Sequence, residues 1–345
     1  MANWYLEDGK ESDVVVSTRV RLARNIVGYN FENNMSQKEK EEIEEKAQNV
    51  ISKIGYGLKF FKLSDIDEIS KQALVEKNII SPDLAKKSEN KAILINEEEN
   101  ICIMVNEEDH LRIQTFREGL EPKELLKLAT EIDKKIEENI DYAYSEKFGY
   151  LTACPTNIGT AIRISVMVHL PALARTGNLN KLLQIVNNLG MEVRGIYGEG
   201  SKSACDMYQI SNKQTLGVSE EEICKNIKAI VEKIIQQEKT ARKYLCKNEI
   251  ELEDRVYRDY GILTNARKLN SSETEKLMSE LKLGTDLGII PELNDFKVKK
   301  IMLYSKPANL QKYCGRIMEE EEQEIERAKV IKKIISEWKE KNYGI

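Results

Sequence analysis

Arg19 and Arg21 are the first residues of this chain whose types and spacing suggest chemistry, with Ser17, Thr18 and Val20 around them. They follow Val14, Val15 and Val16, which read as the end of a strand. Alternate residues of a strand share one face, so the two guanidiniums should lie side by side. Such cations repel unless a polyanion lies between them, and Arg suits phosphate because its planar fork donates two parallel hydrogen bonds. A solvated edge strand explains a single basic dipeptide equally well. Against that reading, arginine recurs beside reactive residue types in three later segments, at Arg112, Arg163 and Arg194.

The first of these runs Asn106, Glu107, Glu108, Asp109, His110, Leu111, Arg112. Glu108 and Arg112 are four residues apart, so a helical turn would bring them together. An acidic surface turn with a weak local ion pair accounts for the same residues. The second segment places Cys154, Pro155, Thr156, Asn157 and Gly159 in a polar turn before Arg163. Cys154 can be a buried structural thiol or, near arginines, an activated one. The third has Arg194 and Glu199 bracketing a loop with Gly195, Gly198 and Gly200. Glycines let backbone approach a ligand closely. Together the segments suggest a phosphate cage with carboxylates at its edge.

The elements that must hold these residues are legible. Ser36 and Glu39 make a capping-box pattern before a helix expected over residues 36–54. Residues 92–95 and 101–105 read as a hairpin, and Pro122 opens a helix through Ile136. A strand over 163–170, a helix over 179–189, strands over 191–197 and 206–211, and a long helix from Ser219 to about Leu245 follow. After about residue 253 strand signals largely stop, and helical pieces are expected near 253–261, 272–283 and 320–340. The expected division is therefore 1–253 and 254–345. Trp338 should lie in a core or a dimer interface, His110 and His169 should be structural, and Lys297, Lys299 and Lys300 should form a solvated cluster, with docking of an acidic partner as the alternative.

With 345 residues the chain can bury a large core, and 53 Lys and Arg against 58 Asp and Glu give a net charge of -5. That balance argues against general nucleic-acid binding. No signal peptide and no membrane-spanning run is visible, and six scattered cysteines without a C-x-x-C pair suit a reducing cytoplasm rather than a zinc site or disulfide framework.

The four segments resemble, in order and approximate spacing, those of the phosphagen (guanidino) kinases, the ATP:guanido phosphotransferase family. The resemblance implies an α+β fold, an antiparallel sheet flanked by helices, here with a smaller C-terminal helical domain. It implies ATP as phosphoryl donor, with Mg²⁺ held mainly through the nucleotide phosphates. Arg19, Arg21, Arg112, Arg163 and Arg194 would bind those phosphates. Ser17, Thr18 and Val20, then Ile164, Ser165, Val166 and Met167, then Gly195, Ile196, Tyr197, Gly198 and Glu199 would complete the nucleotide site. Glu108 and Glu199 would hold and deprotonate a substrate guanidinium, with Cys154 beside it.

Only Met1 to Val16 precede the first arginine motif, whereas small-substrate members carry a helical domain of about a hundred residues there. The arrangement resembles the bacterial protein-arginine kinases of the McsB type. That resemblance implies protein substrates with exposed arginines, a zinc-binding activator, a Clp-type ATPase downstream and a homodimer. A free-arginine kinase and a catalytically dead adaptor are the alternatives. Two positions depart from the family pattern. Asn78 stands where relatives carry a nucleotide-contacting His. Gln323, Glu324, Arg327 and Ala328 stand where relatives carry an Arg-Asp-x-x-Arg-Ala site for phosphoarginine, and a clamp lacking one Arg should be weaker.

Overall fold

Strands drawn from residues 15–212 build one large sheet. The structure, a computed structural model, describes residues 4–195 and 205–337. Its strands are β1 (Val15–Arg24), β2 (Lys59–Lys62), β3 (Ala92–Ile95), β4 (Ile101–Val105), β5 (Leu111–Glu118), β6 (Tyr144–Ser145), β7 (Gly149–Tyr150), β8 (Ile162–His169), β9 (Met191–Gly195) and β10 (Met207–Asn212). β6 and β7 form a small ladder, and the others form one sheet in the order β2-β3-β4-β5-β1-β8-β10-β9. Helices α1 (Gln37–Ile51), α2 (Glu68–Glu76), α3 (Pro82–Lys86), α4 (Pro122–Glu137), α5 (Pro171–Arg175), α6 (Leu179–Asn188) and α7 (Glu220–Leu245) lie between and after the strands. Then come α8 (Glu249–Asn265), α9 (Ser271–Asp286), α10 (Asp295–Tyr304), α11 (Pro307–Cys314) and α12 (Glu320–Ser336). The fold is α+β, with a large antiparallel sheet flanked by helices and a C-terminal helical region. No helix among the described residues is long and apolar enough to cross a membrane.

The chain divides into two compact units, one of residues 1–167, 185–193 and 209–232, the other of 168–184, 194–208 and 233–345. The expected boundary near 253 falls within α8.

In the first unit, β1 pairs antiparallel with β5, and β5, β4, β3 and β2 continue antiparallel. Thr18, Val20, Leu22 and Arg24 are buried on one face of β1, which α4 covers. α4 begins at Pro122, whose missing N–H costs nothing at a first helical position, and buries Leu125, Ala129, Ile132 and Ile136. The expected capping box opens α1: Ser36 Oγ accepts from the Glu39 amide, and the Glu39 carboxylate accepts from the Ser36 amide at 2.7 Å. On the opposite face of β3–β5, Ile93, Cys102, Met104 and Phe116 form a small core with Trp4, Leu63, Ile79 and Leu84. This core docks the segment between β2 and β3 against the sheet.

In the second unit, Leu252, Val256, Leu281, Ile301, Leu310, Ala328 and Ile331 belong to a core drawn from all five helices α8–α12. Gly284 permits the close approach of α8 and α9, because a Cβ there would lie 2.4 Å from Val256 Cγ1. Helices α10 and α11 were not foreseen in the sequence, and the solvated-lysine expectation is overturned there. Lys297 is buried and donates to the Ile335 carbonyl at 3.2 Å, Lys299 is buried against Asp295, and Lys300 pairs with Glu337 at 3.1 Å. The lysines serve helix packing, their stems buried and their ends satisfied. Trp338 lies outside the described residues.

Candidate active site

Strand parity divides the first arginines. Residues directly opposite in an antiparallel pair share a face. Arg19 opposes Phe116, Arg21 opposes Gln114, and Ala23 opposes Arg112. Arg19, Arg21 and Arg112 therefore project from the same face. Arg24 has the other parity and is buried under α4. Its guanidinium holds Asp133 at 2.6 Å and lies 3.5 Å from the Tyr150 ring centroid. Arg24 is structural.

The shared face is electrostatically unsatisfied. Burial pushes the Arg19 guanidinium down to about 10, and Arg163 and Arg112 add to the effect by repulsion. Arg21 is driven well below its ordinary range by burial and then by Arg112, Arg19 and Arg163. Arg19 donates to Gln209 Oε1 at 3.4 Å, and the Arg21 side chain makes no hydrogen bond or ion pair among the described residues. Three cations that repel one another on a half-buried face suit a phosphate chain, whose charge would relieve all of them.

Arg112 is held by two carboxylates. Its Nη1 lies 2.6 Å from Glu107 and its Nη2 lies 2.8 Å from Glu108. Glu107 is buried, and it also accepts from Ser81 Oγ at 2.7 Å and from the Glu108 amide at 2.8 Å. The Glu108 side chain is 42% exposed and can meet a substrate. The contact between Glu108 and Arg112 was expected, but not its backbone. Residues 106–110 form a bend between β4 and β5, and Arg112 lies in a strand rather than a helical turn. Leu111 and Ile113 alternate with Arg112 and Gln114, which is strand periodicity, and a tight hairpin bend brings residues four apart together as a helix does.

Asp109 is fully buried and ties the Cys154 segment to this bend. Its Oδ1 accepts from Asn25 Nδ2 at 2.7 Å and from the Ala153 amide at 2.8 Å. Cys154 is half-buried, with Sγ 3.0 Å from Thr156 Oγ1. Gly159 closes the segment at φ +115°, and a Cβ there would lie 2.2 Å from the Thr215 carbonyl oxygen. His110 is locked by three contacts. Its amide donates to Asn25 Oδ1 at 3.0 Å, Nδ1 accepts from the Ile26 amide at 3.0 Å, and Nε2 donates to the Asn30 carbonyl at 2.7 Å. Burial lowers its pKa. It is a neutral structural residue.

The other expected site residues fall as follows. Ser17 shares the parity of Arg19, whereas the side chains of Thr18 and Val20 point to α4; Thr18 Oγ1 donates to the Gly119 carbonyl at 2.6 Å. On β8, Arg163 and Met167 are half-buried, Ser165 has the same parity, and Ile164 and Val166 are buried with the opposite parity. Arg163 is ion-paired with Glu192 and donates to Ser211 Oγ at 2.9 Å. Asn78 ends α2 in the left-handed region, at φ 59°, which Asn tolerates better than most residues. The next residue, Ile79, offers its carbonyl to Gln114 Nε2 at 2.8 Å, so the Asn78 turn borders the residue opposite Arg21. Arg194 and Gly195 end β9 in the second unit, and Arg194 is exposed. Ile196, Tyr197, Gly198 and Glu199 lie outside the described residues.

In the second unit Arg327 is buried, donating from Nε to the Ser305 carbonyl at 2.6 Å and from Nη1 to the Leu269 carbonyl at 2.7 Å. Gln323 donates to the Met318 carbonyl at 2.9 Å, Glu324 receives the Leu269 amide at its backbone oxygen, and Ala328 is core. Each of these four residues has a structural role. His169 is buried, with Nε2 3.0 Å from Ser279 Oγ, which in turn donates to Asp206 at 2.8 Å.

Sequence reasoning passed over Glu107, Asp109, Ser81 and Gln114. The acidic triplet was visible, but only burial separates Glu107 and Asp109, which hold the site together, from the exposed Glu108.

Comparison with known proteins gives the arrangement its context. Residues 40–241 match the model of the ATP:guanido phosphotransferase C-terminal catalytic domain, and residues 249–344 match that of the protein-arginine kinase McsB C-terminal domain. The chain is 45% identical over 334 residues to the protein-arginine kinase of Halothermothrix orenii, covering 96% of each chain. It is 44% identical over 337 residues to that of Geobacillus sp., covering 96% of this chain and 93% of the relative. Among solved structures, the duplicated taurocyamine kinase of Schistosoma mansoni with bound transition-state analogue components is similar at TM-score 0.61 and 28% identity, over 68% of this chain and 34% of that one. A lombricine kinase is similar at TM-score 0.59 and 25% identity, over 67% and 68% of the two chains. With its arginine face bordered by paired carboxylates, the chain belongs to the ATP:guanido phosphotransferase family, on its protein-arginine kinase branch.

Proposed function

We propose that this ATP-dependent phosphotransferase moves the γ-phosphoryl group of ATP to arginine side chains of proteins. The observation that carries the reading is the shared face of Arg19, Arg21 and Arg112, with the exposed Glu108 at its border. A substrate guanidinium is protonated at neutral pH and is a poor nucleophile. Glu108 can pair with it and accept its proton as one nitrogen attacks phosphorus. A P–N bond forms, the bond from the γ-phosphorus to the bridging oxygen breaks, and ADP leaves. The arginines stabilise charge spread over the group in flight, so positioning and electrostatics supply most of the rate. Mg²⁺, held through the nucleotide phosphates, would neutralise part of their charge. Arg163, Arg194, Glu199 and Cys154 take their family roles within this reading.

The division of labour follows the expected one, catalysis in residues 1–253 and substrate or partner binding in 254–345. Family resemblance adds a homodimer, a zinc-binding activator and a downstream Clp-type ATPase. The scattered free cysteines suit the cytoplasm.

The test is incubation with ATP, followed by separate detection of acid-labile phosphate on free arginine and on a flexible arginine-rich protein. Label on the protein, with little on free arginine, is expected; the reverse pattern would return the chain to the free-arginine kinases. Glu108→Gln should lower turnover by about 10²–10⁴-fold. ADP affinity, measured by calorimetry, should be retained, and near-normal turnover would remove Glu108 from the chemistry.

A further inference from the structure

The junction of α7 and α8 carries a cavity of about 380 Å³ lined wholly by the second unit. Its lining sets three cations, Arg175, Lys247 and Arg255, against one carboxylate, Glu251. Glu251 pairs with Arg255 at 3.2 Å, and Arg175 pairs with Glu280. Lys247 has no carboxylate partner among the described residues, and its ammonium lies 5.7 Å from the Tyr244 ring centroid. Arg175 is held below its ordinary range first by burial and next by repulsion from Arg255. Two guanidiniums thus converge on one space with a third cation at its edge, an arrangement that an oxyanion would relieve.

Apart from the amide of Asn248, the rest of the lining is aromatic or aliphatic: Tyr244, Leu245 and Leu252. Leu252 is buried beneath the cavity and Leu245 borders it. Tyr244 is 63% exposed, and Ile250, on the adjoining turn, is 82% exposed. Exposed apolar side chains beside a cationic space extend the surface beyond what a free inorganic anion would use. The junction also lies between the two family matches, which end at residue 241 and resume at 249.

We propose that this cavity anchors an acidic side chain, flanked by an apolar residue, in a flexible segment of a protein substrate. The proposal rests on the protein-arginine kinase reading and adds to it a preference for substrates that carry acidic-apolar segments apart from the target arginine. The apolar neighbour packs on Tyr244 and Ile250, and the carboxylate lies among Arg175, Lys247 and Arg255.

The experiment uses the full chain and fluorescence anisotropy of a labelled, arginine-free peptide of alternating acidic and leucine residues. Saturable binding is expected. The double variant Lys247→Ala with Arg255→Ala should weaken it roughly tenfold through loss of two charged contacts. A peptide with serine in place of each acid should bind wild type no better than the acidic peptide binds the variant. Both substituted side chains are largely solvent-exposed, and circular dichroism with ADP calorimetry will show whether fold and nucleotide site are intact. Equal affinity of wild type and variant, or equal affinity for the two peptides, overturns the proposal. So does displacement of label by inorganic phosphate with no preference for the acidic peptide, which would assign the cavity to a free anion. Because the probe carries no arginine, binding is scored without catalysis, and failure to phosphorylate protein would count against the kinase reading alone.

Discussion

Arg24 shows what a residue type alone conceals. It is one of three arginines within six residues, yet it turns to Asp133 while Arg19 and Arg21 turn to the opposite face of the sheet. Alternation predicts that Arg19 and Arg21 share a face, and the same rule sends Arg24 away, although its motif invites grouping all three. Glu107 and Glu108 pose a similar problem. Adjacent and chemically identical, they differ in burial, which one sequence cannot display. Glu107→Gln should weaken the anchor of both Arg112 and Ser81. ADP affinity should fall and the melting temperature should drop by several degrees, as for a broken buried pair; Glu108→Gln should leave both nearly unchanged. Titration of the two histidines provides another test. Burial holds His169 well below its ordinary 6.5 and lowers His110 as well. The unfolded chain therefore takes up protons first as pH falls through about 6.5, so this stability is present above that pH and lost below it. Asp286, raised to about 6 mainly by burial, acts in the opposite sense. Comparing melting temperatures of wild type and His169→Asn between about pH 7 and 5.5 isolates the contribution of His169. The variant should lose less, and equal slopes would remove His169 from the pH response.

Elements were more legible than contacts. The α1 capping box, the β3–β4 hairpin, the Pro122 start of α4 and the long α7 follow from local signals that survive in the fold. β5 was obscured because it follows the acidic bend directly and the four-residue spacing of Glu108 and Arg112 suggests a helical turn there. α10 and α11 were obscured because they are short and α10 carries lysines where apolar residues would announce a core face. The Cys154 segment was recognised as a turn, but the reason for its glycine was not visible. Gly159 lies against the Thr215 carbonyl while its own carbonyl receives the Tyr150 amide at 2.8 Å. Gly159→Ala should destabilise by about 1–3 kcal/mol from backbone strain alone. The clash should also displace the segment. Thermal melts and the rate of Cys154 alkylation will report both effects, and unchanged values would show that the segment absorbs a side chain there.

At the scale of the molecule, the chain passes between its two units five times, at residues 167/168, 184/185, 193/194, 208/209 and 232/233. Residues 168–184 and 194–208 belong with the C-terminal helices: α5 packs on α9, and His169 and Asp206 both meet Ser279. A protein ending at residue 253 would keep these segments and lose α9. It should therefore lack a cooperative melt and aggregate on size exclusion, whereas a monodisperse, cooperatively melting product would show that the catalytic segment is self-sufficient. The interleaving also bears on inheritance. The two family matches meet near residues 241–249, where a recombination event could join genes from different lineages without breaking either match. Such a chimera would take Ser279 from one ancestor and its partners His169 and Asp206 from the other. The two regions should therefore descend together, and their residues at this seam should vary in concert.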